Sequence, residues 1–426
     1  MTTSTTPNLW RHADFVRYWT GESIARLGVQ VTALALPLLA VVDLGATPVQ
    51  AGLLNGAQFA PYLLVTLFAG VWVDRVRPRP FLVATNLLRA GLLALVPALF
   101  VADVLTIQQL YVAGFVIGTL AVLYDLSSST YLPSLVERDL LTAANSRVQG
   151  SISAARIGGP GLGGLLVQAI SVPVTLFANA VVHLVSALVL LAIRHRDPAP
   201  PPRPHTGVIA EIGASLRFVR ADPYLRVCAF RAGFNNLFFM AMQTVFPLFV
   251  IRSLGADVAT VGLVLAVGAA GSLVGAVLAG RVGNRLGPGP AIVTGFGIGS
   301  FAQALIPLAG GPDWLVLTVL FGSFLLGGIG TTIGNVHLAT LTQSVTPRAL
   351  LGRTTGALRF LTWGTMPLGA LLGGWLGDLV GLRPTLVITA LGFTASLLLV
   401  LNSPVARLRT LPEPPVTPDA AVARRG

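Results

Sequence analysis

The sequence predicts an all-α integral membrane protein whose twelve transmembrane helices form two six-helix bundles. Three observations carry this prediction. Only 44 of the 426 residues, 28 basic and 16 acidic, are charged, which is 10% against roughly 25% in soluble domains. The apolar residues are grouped in runs long enough to cross a bilayer, which takes about 20 residues of helix. The second half of the chain also repeats the first at a constant spacing.

Twelve apolar runs are long enough to cross the bilayer as helices. The first follows a polar start, MTTSTTPNLWRHADF, and is too long and too rich in glycine for a cleaved signal peptide. Each run is therefore expected to remain in the protein as a spanning helix. The expected spans are residues 15–42, 49–73, 81–102, 110–136, 148–170, 173–193, 224–251, 258–281, 290–309, 314–340, 353–377 and 383–402.

The segments outside the spans complete the domain organisation. The central connection begins RHRDPAPPPRPHTG, and its prolines predict a stiff linker. Ile209, Ile212, Leu216 and Val219 follow at helical spacing, which predicts an amphipathic helix on the inner leaflet. The expected parts are a cytoplasmic N-terminal arm (1–14), a first six-helix bundle (15–193), a cytoplasmic linker with its amphipathic helix (194–222), a second six-helix bundle (223–402) and a disordered cytoplasmic tail (403–426).

The arginines predict how the chain is oriented in the membrane. Of the 28 basic residues, 21 fall in loops on one side, and only Arg252 and Arg383 fall on the other. Cytoplasmic loops carry the excess of basic residues in membrane proteins. Both termini are therefore expected in the cytoplasm, with the protein in the inner (plasma) membrane. The net charge of +12 is then a topology signal, and no nucleic-acid partner is expected.

The two halves share residues at a constant offset of 210 positions. The matches keep one register from the first span to the fifth, which composition bias alone would not produce. Because each half has an even number of spans, the repeats share one orientation, as in transporters that enclose a substrate cleft near the membrane midplane. The matched pairs are Pro37/Pro247, Leu38/Leu248, Leu44/Leu254, Gly45/Gly255, Ala46/Ala256, Gly52/Gly262, Leu53/Leu263, Gly70/Gly280, Arg75/Arg285, Gly163/Gly373 and Gly164/Gly374.

Several chemistries are excluded by the residue types present. Every basic residue is Arg, so the chain has no lysine for a Walker A phosphate site or a Schiff base. Cys228 is the only cysteine, which excludes an internal disulfide and a multi-cysteine metal centre. Neither a His-Glu-x-x-His nor a Gly-x-Ser-x-Gly motif is present. We expect no enzyme activity, no metal site and no cofactor, with the proton gradient as the energy source.

A glycine, an acid and an arginine cluster follow the second span, in the stretch GVWVDRVRPR that starts at residue 70. The glycine permits close helix approach, and the arginines can pair with acids or with the carbonyl ends of helices. A second copy, GRVGNR at residues 280–285, has Asn284 in the position of the acid. We expect a gate at the first copy, formed by Gly70, Asp74, Arg75, Arg77 and Arg79.

The fifth span contains the small residues GGPGLGG at positions 158–164. Small residues let helices touch, and a proline frees a backbone carbonyl. We expect a kinked, closely packed pivot formed by Gly159, Pro160, Gly163 and Gly164.

These two elements resemble motif A of the major facilitator superfamily and motif C of its drug-exporting members. With YLPSLV at 131–136, TPRALLGR at 346–353 and the stretch from 359 to 374, the chain looks like the twelve-helix drug:proton antiporter branch, which contains macrolide-efflux and enterobactin-exporter-like proteins. The resemblance covers residues 9–409. It implies the major facilitator fold and transport of small molecules.

Glu22 and Arg26 are ionisable residues inside the first span, where charges are costly and are functional candidates. They lie four residues apart, so one interpretation is an ion pair on one helix face. The other is that Glu22 takes up the coupled proton. The resemblance favours the second interpretation, because the first helix lines the cavity in this superfamily.

Asp125 in the fourth span also has two interpretations. It carries a coupled proton, or, as the resemblance implies, it clasps Arg77 or Arg79 of motif A and holds one conformation shut. Arg89 and Arg156 are alternative partners, because an unpaired arginine at that depth is expensive.

Other polar residues in the spans are candidates for coupling or for the substrate cavity. His337 in the tenth span either titrates in transport, as Glu22 and Asp125 would, or makes an interhelical hydrogen bond. His183 in the sixth span is expected to be structural. Neutral amides either bind substrate or bond between helices. The cavity candidates are Glu22, Arg26, Gln30, Asn235, Asn236, Gln243, Asn335 and His337.

These features predict a secondary-active exporter of amphipathic small molecules of drug, antibiotic or siderophore type, working by alternating access with proton antiport. A cavity with few charges suits lipophilic compounds better than sugars or phosphates. The alternatives are a proton symporter or importer, a facilitator of a small metabolite, and a transport-inactive membrane receptor or scaffold. The expected partners are the substrate and the lipid bilayer, and the protein is expected to be a monomer.

Overall fold

The computed structural model describes residues 9–66, 76–137, 140–195, 213, 217–346 and 351–412. Within these ranges the regular elements are helices. The α-helices are α1 (Ala13–Leu38), α2 (Pro48–Leu64), α3 (Pro78–Val101), α4 (Ile107–Leu135), α5 (Leu141–Ile170), α6 (Val172–Leu191), α7 (Pro223–Leu248), α8 (Val258–Leu286), α9 (Pro288–Leu305), α10 (Asp313–Val345), α11 (Leu351–Trp363), α12 (Met366–Leu379) and α13 (Leu382–Leu401).

Each predicted span coincides with one of these helices, except the eleventh. In the described part of the chain, nine helices are long and apolar enough to cross a membrane, some of them together with a short terminal turn. α2 is described only as far as residue 66. α5 contains Arg147 and Arg156 among its apolar residues, which lowers its hydropathy.

The single span expected at 353–377 is two helices, α11 and α12. Pro367 explains the break, because a proline ring clashes with the carbonyl of the residue four positions earlier. That residue is Trp363, the last of α11. The hydroxyl of Thr365, in the break, lies 2.9 Å from the carbonyl oxygen of Gly233 on α7. The eleventh span is therefore two helices separated by a two-residue turn.

The offset of 210 residues is also present in the backbone. α1 ends in a π-helical turn at Leu39–Asp43, and α7 ends in one at Phe249–Ser253. The glycines that follow, Gly45 and Gly255, have φ angles of 62° and 67°. Such angles lie in the left-handed region, which glycine adopts without a steric cost. The halves therefore repeat in conformation as well as in sequence.

The chain divides into two compact units. One comprises Met1–Pro204 with Ala256–Ala266, and the other comprises His205–Gly255 with Val267–Gly426. Each unit has its own apolar core, so each buries side chains without the other. Core residues include Phe15, Tyr18, Leu82, Tyr131 and Leu190 in the first unit, and Leu225, Ile292, Phe296, Leu341 and Val405 in the second.

The predicted disorder of the tail is wrong at its start. Pro404–Arg407 form a 3-10 turn, and Val405 is fully buried. The carbonyl oxygen of Leu408 accepts a hydrogen bond from the backbone N–H of Gly289, at 2.9 Å. Val405 and Leu408 are ordered because they pack into the core of the second unit. Residues 1–8 of the arm, 196–212 and 214–216 of the linker, with most of the expected amphipathic helix, and 413–426 of the tail lie outside the described residues.

Candidate functional site

Glu22 and Arg26 form an ion pair on α1. Arg26 Nε donates to Glu22 Oε1 at 2.7 Å, and the Glu22 side chain is 1% exposed. A buried carboxylate is costly unless it is paired and hydrogen-bonded. The pair predicted from the four-residue spacing is therefore present.

The same arginine reaches α4. Arg26 Nη1 donates to Asp125 Oδ1 at 2.5 Å, and the hydroxyl of Tyr62 on α2 donates to Asp125 Oδ2 at 3.5 Å. The Asp125 side chain is 35% exposed. One guanidinium is thus shared by two carboxylates that differ in their access to solvent.

Tyr124 and Arg89 complete this group. The hydroxyl of Tyr124 donates to Glu22 Oε2 at 2.7 Å. Arg89 on α3 is 1% exposed, and its Cζ lies 5.1 Å from the centroid of the Tyr124 ring. Its Nε and Nη1 have no hydrogen-bond partner among the described residues. We call Glu22, Arg26, Arg89, Tyr124 and Asp125 the charge cluster; it balances two acids with two arginines.

The ion-pair partner of Asp125 in this structure is Arg26 and neither Arg77 nor Arg79, so the latch that would hold one conformation shut stays a prediction. Arg79 instead donates to the carbonyl oxygens of Leu190, at 3.2 Å, and Leu191, at 2.6 Å, where the end of α6 carries partial negative charge. Asp125 and Arg26 meet because both lie inside their helices, whereas Arg79 lies in the first turn of α3. Gly70, Asp74 and Arg75 lie outside the described residues.

Neutral polar side chains connect α1, α3 and α6. His183 Nδ1 lies 3.0 Å from Asn86 Oδ1, and Asn86 Nδ2 donates to Ser186 Oγ at 3.1 Å. Asn179 Nδ2 donates to the carbonyl oxygen of Gly28 at 2.9 Å. These bonds satisfy polar groups between helices, which fits the structural role expected for His183.

In the second unit, Asn235 and Asn335 meet at Arg231, which is 3% exposed. Arg231 Nη2 donates to Asn235 Oδ1 at 3.1 Å, and Nη1 donates to Asn335 Oδ1 at 3.4 Å. Its Cζ lies 3.2 Å from the centroid of the Phe296 ring, a cation–π contact. We call Arg231, Asn235 and Asn335 the arginine–amide site.

The remaining cavity candidates do not join either group. His337 Nε2 lies 2.9 Å from the carbonyl oxygen of Ala279 on α8. His337 therefore makes the interhelical hydrogen bond that was the alternative to a role in proton coupling. Asn236 Nδ2 donates to the carbonyl oxygen of Thr362 on α11 at 2.9 Å. Gln243 is half-buried on α7.

The small residues of α5 permit close helix contacts. A Cβ atom at Gly159 would collide with the side chain of Gln30 on α1, and one at Gly164 would lie 2.7 Å from the Cα of Gly262 on α8. Pro160 lies inside the helix. The close packing expected of the motif C element is present at these positions, and its role as a pivot stays a prediction.

A cavity of about 470 Å³ lies within the second unit, beside the first half of α7. This volume is in the range of pockets for drug-sized ligands. Its walls are almost entirely apolar, and two exposed arginines of the linker end and of α7 contribute to it. Lining residues include Arg220, Arg226, Phe230, Phe234, Leu361 and Thr365.

Residues 18–366 match the family model described as the Major Facilitator Superfamily. The chain belongs to this superfamily. It is therefore an integral membrane transporter, and the fold and the family predicted from the sequence are confirmed. Over 401 residues the chain is 30% identical to the multidrug efflux pump Tap of Mycolicibacterium fortuitum, covering 91% of this chain and 94% of that one. Over 400 residues it is 26% identical to the enterobactin exporter EntS of Citrobacter koseri, covering 90% and 93%.

Solved structures of the superfamily share this fold at low sequence identity. A bacterial homologue of the iron transporter ferroportin superposes with a TM-score of 0.73 at 16% identity, over 92% of this chain and 98% of that one. The nucleoside transporter NupG superposes with a TM-score of 0.69 at 12% identity, over 91% and 98%. At these identities the likeness concerns the fold alone.

Proposed function

We propose that this superfamily member exports amphipathic small molecules in exchange for protons, by alternating access of its two halves. The observation that carries the proposal is the sharing of Arg26 between Glu22 and Asp125. Asp125 is the proton-exchanging acid, because a third of its side chain is exposed. Glu22 is buried and bonded to both Arg26 and Tyr124, so its role is to hold the guanidinium in place.

Proton uptake changes the contacts between α1 and α4. When Asp125 is protonated, its attraction for Arg26 falls, and the guanidinium stays with Glu22. The charge cluster then carries one more positive charge, and α1 is less tightly held to α4. A ligand or proton shifts a two-state equilibrium only through such a difference in interaction free energy.

The nature of the substrate is supported by two observations. The relatives described above are named for efflux of several drugs and of enterobactin. The cavity beside α7 is of drug size and apolar, which suits a lipophilic body. We further propose that the chain is a monomer in the inner membrane, has both termini in the cytoplasm, and uses the proton gradient without a cofactor.

The test is uptake into proteoliposomes with an imposed pH gradient. N-phenyl-1-naphthylamine, a neutral lipophilic fluorophore, serves as the probe. An antiporter accumulates it when the lumen is acidic, because protons leave as the probe enters. A symporter accumulates it when the lumen is alkaline, and a facilitator does so in neither case. Accumulation that is independent of the gradient, or absent, would contradict the proposal.

A further inference from the structure

The second unit contains a buried cation whose hydrogen-bond acceptors are neutral. Arg231 donates to Asn235 and to Asn335, and it packs on the ring of Phe296. Its Nε has no hydrogen-bond partner among the described residues. Arginine keeps its proton in proteins, so the charge persists at this depth.

The acidic residues between positions 223 and 402, all of them described by the structure, lie away from this charge. From residue 223 to residue 402 the sequence contains three acids: Asp257, Asp313 and Asp378. Asp313 begins α10, 22 residues before Asn335, which is about 33 Å along the helix at 1.5 Å per residue. Asp257 lies beyond the far end of α7, and Asp378 lies near the end of α12.

Asp222 is the nearest acid in sequence, and its carboxylate is already engaged. It precedes α7 and accepts hydrogen bonds from the backbone N–H groups of Tyr224, at 2.9 Å, and Leu225, at 2.8 Å. Arg231 lies nine residues further along the chain, about 14 Å along the helix. The N-cap of α7 therefore does not neutralise the arginine.

The internal repeat identifies the position at which an acid is missing. Asn335 lies 210 residues after Asp125, so it is the repeat counterpart of the acid that neutralises Arg26. The register holds in this helix: Ser134 Oγ donates to the carbonyl oxygen three residues earlier on α4, and so does Ser344 on α10. In both units an arginine of the first helix meets this position of the fourth. In the first unit the partner is a carboxylate, and in the second it is an amide.

We infer that the arginine–amide site binds an oxyanion, such as a carboxylate or sulfonate, carried by the exported compound. The inference rests on the proposed export function and names a substrate class for it. Asn335 is exposed at the surface of the second unit, and Arg231 lies directly behind it. An incoming oxyanion supplies the negative charge that Asn335 lacks. It also accepts charge-assisted hydrogen bonds from Arg231, which are stronger than bonds between neutral groups. Leaving a buried cation uncompensated is otherwise expensive.

The test introduces an acidic side chain next to Arg231 by substitution. Asn335→Asp restores the residue type found at position 125, so its carboxylate competes with the substrate oxyanion for Arg231. The probes are 8-anilinonaphthalene-1-sulfonate and N-phenyl-1-naphthylamine, which share a ring system and differ by the sulfonate. We expect Asn335→Asp to lower export of the sulfonate about tenfold or more, the effect of losing one charge-assisted contact. Export of the neutral probe, which has no oxyanion for the new carboxylate to displace, is expected to fall less than that of the sulfonate.

Two further variants keep the test decisive. Gln343→Glu adds an acid to the same helix at an exposed residue outside the arginine–amide site and is the matched control, in which the ratio of the two export rates stays near that of the parent. Asn235→Asp places an acid on the other side of Arg231 and is expected to act like Asn335→Asp, which covers the case in which one variant fails to insert.

The outcomes separate the inference from the function on which it rests. If the parent exports both probes and neither aspartate variant lowers the sulfonate rate relative to the neutral rate, Arg231 is structural and the inference is overturned. It is also overturned if the parent exports the neutral probe alone. If the parent exports neither probe, the proposed export function fails instead.

Discussion

Arg26 on α1 lies 2.5 Å from Asp125 on α4, a residue 99 positions later in the chain. This contact joins two helices of the first unit through one guanidinium that also holds Glu22. Removal of either acid leaves Arg26 with one acidic partner, and removal of Arg26 leaves both acids without their ion-pair partner. In the proposed antiport, protonation of one carboxylate weakens this contact, which is the property that a coupling device needs.

Glu22→Gln is expected to abolish pH-driven export and to destabilise the protein by about 3 kcal/mol, the cost of removing one partner from a buried ion pair. Asp125→Asn is expected to abolish the pH dependence with a smaller loss of stability, because its side chain is 35% exposed. Transport in a pH gradient and thermal unfolding of the purified variants check this. Full pH-driven export by both variants would refute the assignment of coupling to the charge cluster.

Tyr124→Phe is expected to cost about 1–3 kcal/mol, because it leaves an oxygen of the buried Glu22 without its donor. Tyr62→Phe is the matched control. Its hydroxyl is 3.5 Å from the partly exposed Asp125, so its removal has little effect on stability. Thermal unfolding in detergent compares the two, and an equal loss in both would contradict the stronger role of the Tyr124 bond.

Gly159→Ala is expected to weaken the packing of α5 on α1 by about 1–3 kcal/mol, because the added methyl group collides with Gln30. Gly158→Ala is the control in the same helix. A Cβ atom at Gly158 meets nothing within 4 Å, and alanine favours a helix by roughly 0.5–1 kcal/mol over glycine. The midpoint of thermal unfolding should fall for the first variant and stay or rise for the second; the reverse order would count against the close approach of the two helices.

Arg79→Gln is expected to lower transport and stability more than Arg77→Gln. Arg79 donates to the carbonyl ends of Leu190 and Leu191, and hydrogen bonds to charged groups contribute about 1.5–3 kcal/mol. Arg77 is exposed. Transport rates of the two variants, normalised to the amount inserted, check the order, and equal rates would show that contact with the end of α6 has no part in transport.

The sequence predicted the fold well because hydropathy and the repeat depend on residue type and spacing. The offset of 210 positions appears again in the paired π-helical turns at Leu39–Asp43 and Phe249–Ser253. Hydropathy alone does not show the break between α11 and α12, because the apolar run continues through Pro367. Its clash with the carbonyl four residues earlier was the signal that could have located it.

The candidate site was predicted less completely. The spacing of Glu22 and Arg26 predicts their pair, because both lie on one helix. The partner of Asp125 depends on how α1 packs against α4, and no spacing along the chain encodes that. The contacts of Arg89 with Tyr124 and of Arg231 with Asn335 likewise depend on packing between helices. The sequence does contain a signal for the Arg231 contact, because Asn335 is the residue equivalent to Asp125 in the repeat.

The most direct test of the central claim measures proton movement driven by substrate alone. Proteoliposomes are loaded with N-phenyl-1-naphthylamine and diluted with no pH gradient, with potassium and valinomycin clamping the membrane potential and a luminal dye reporting pH. Antiport predicts that the lumen acidifies as the probe leaves, and that the double variant Glu22→Gln/Asp125→Asn shows no such change. A lumen that turns alkaline, or a pH change that survives in the double variant, would contradict the account.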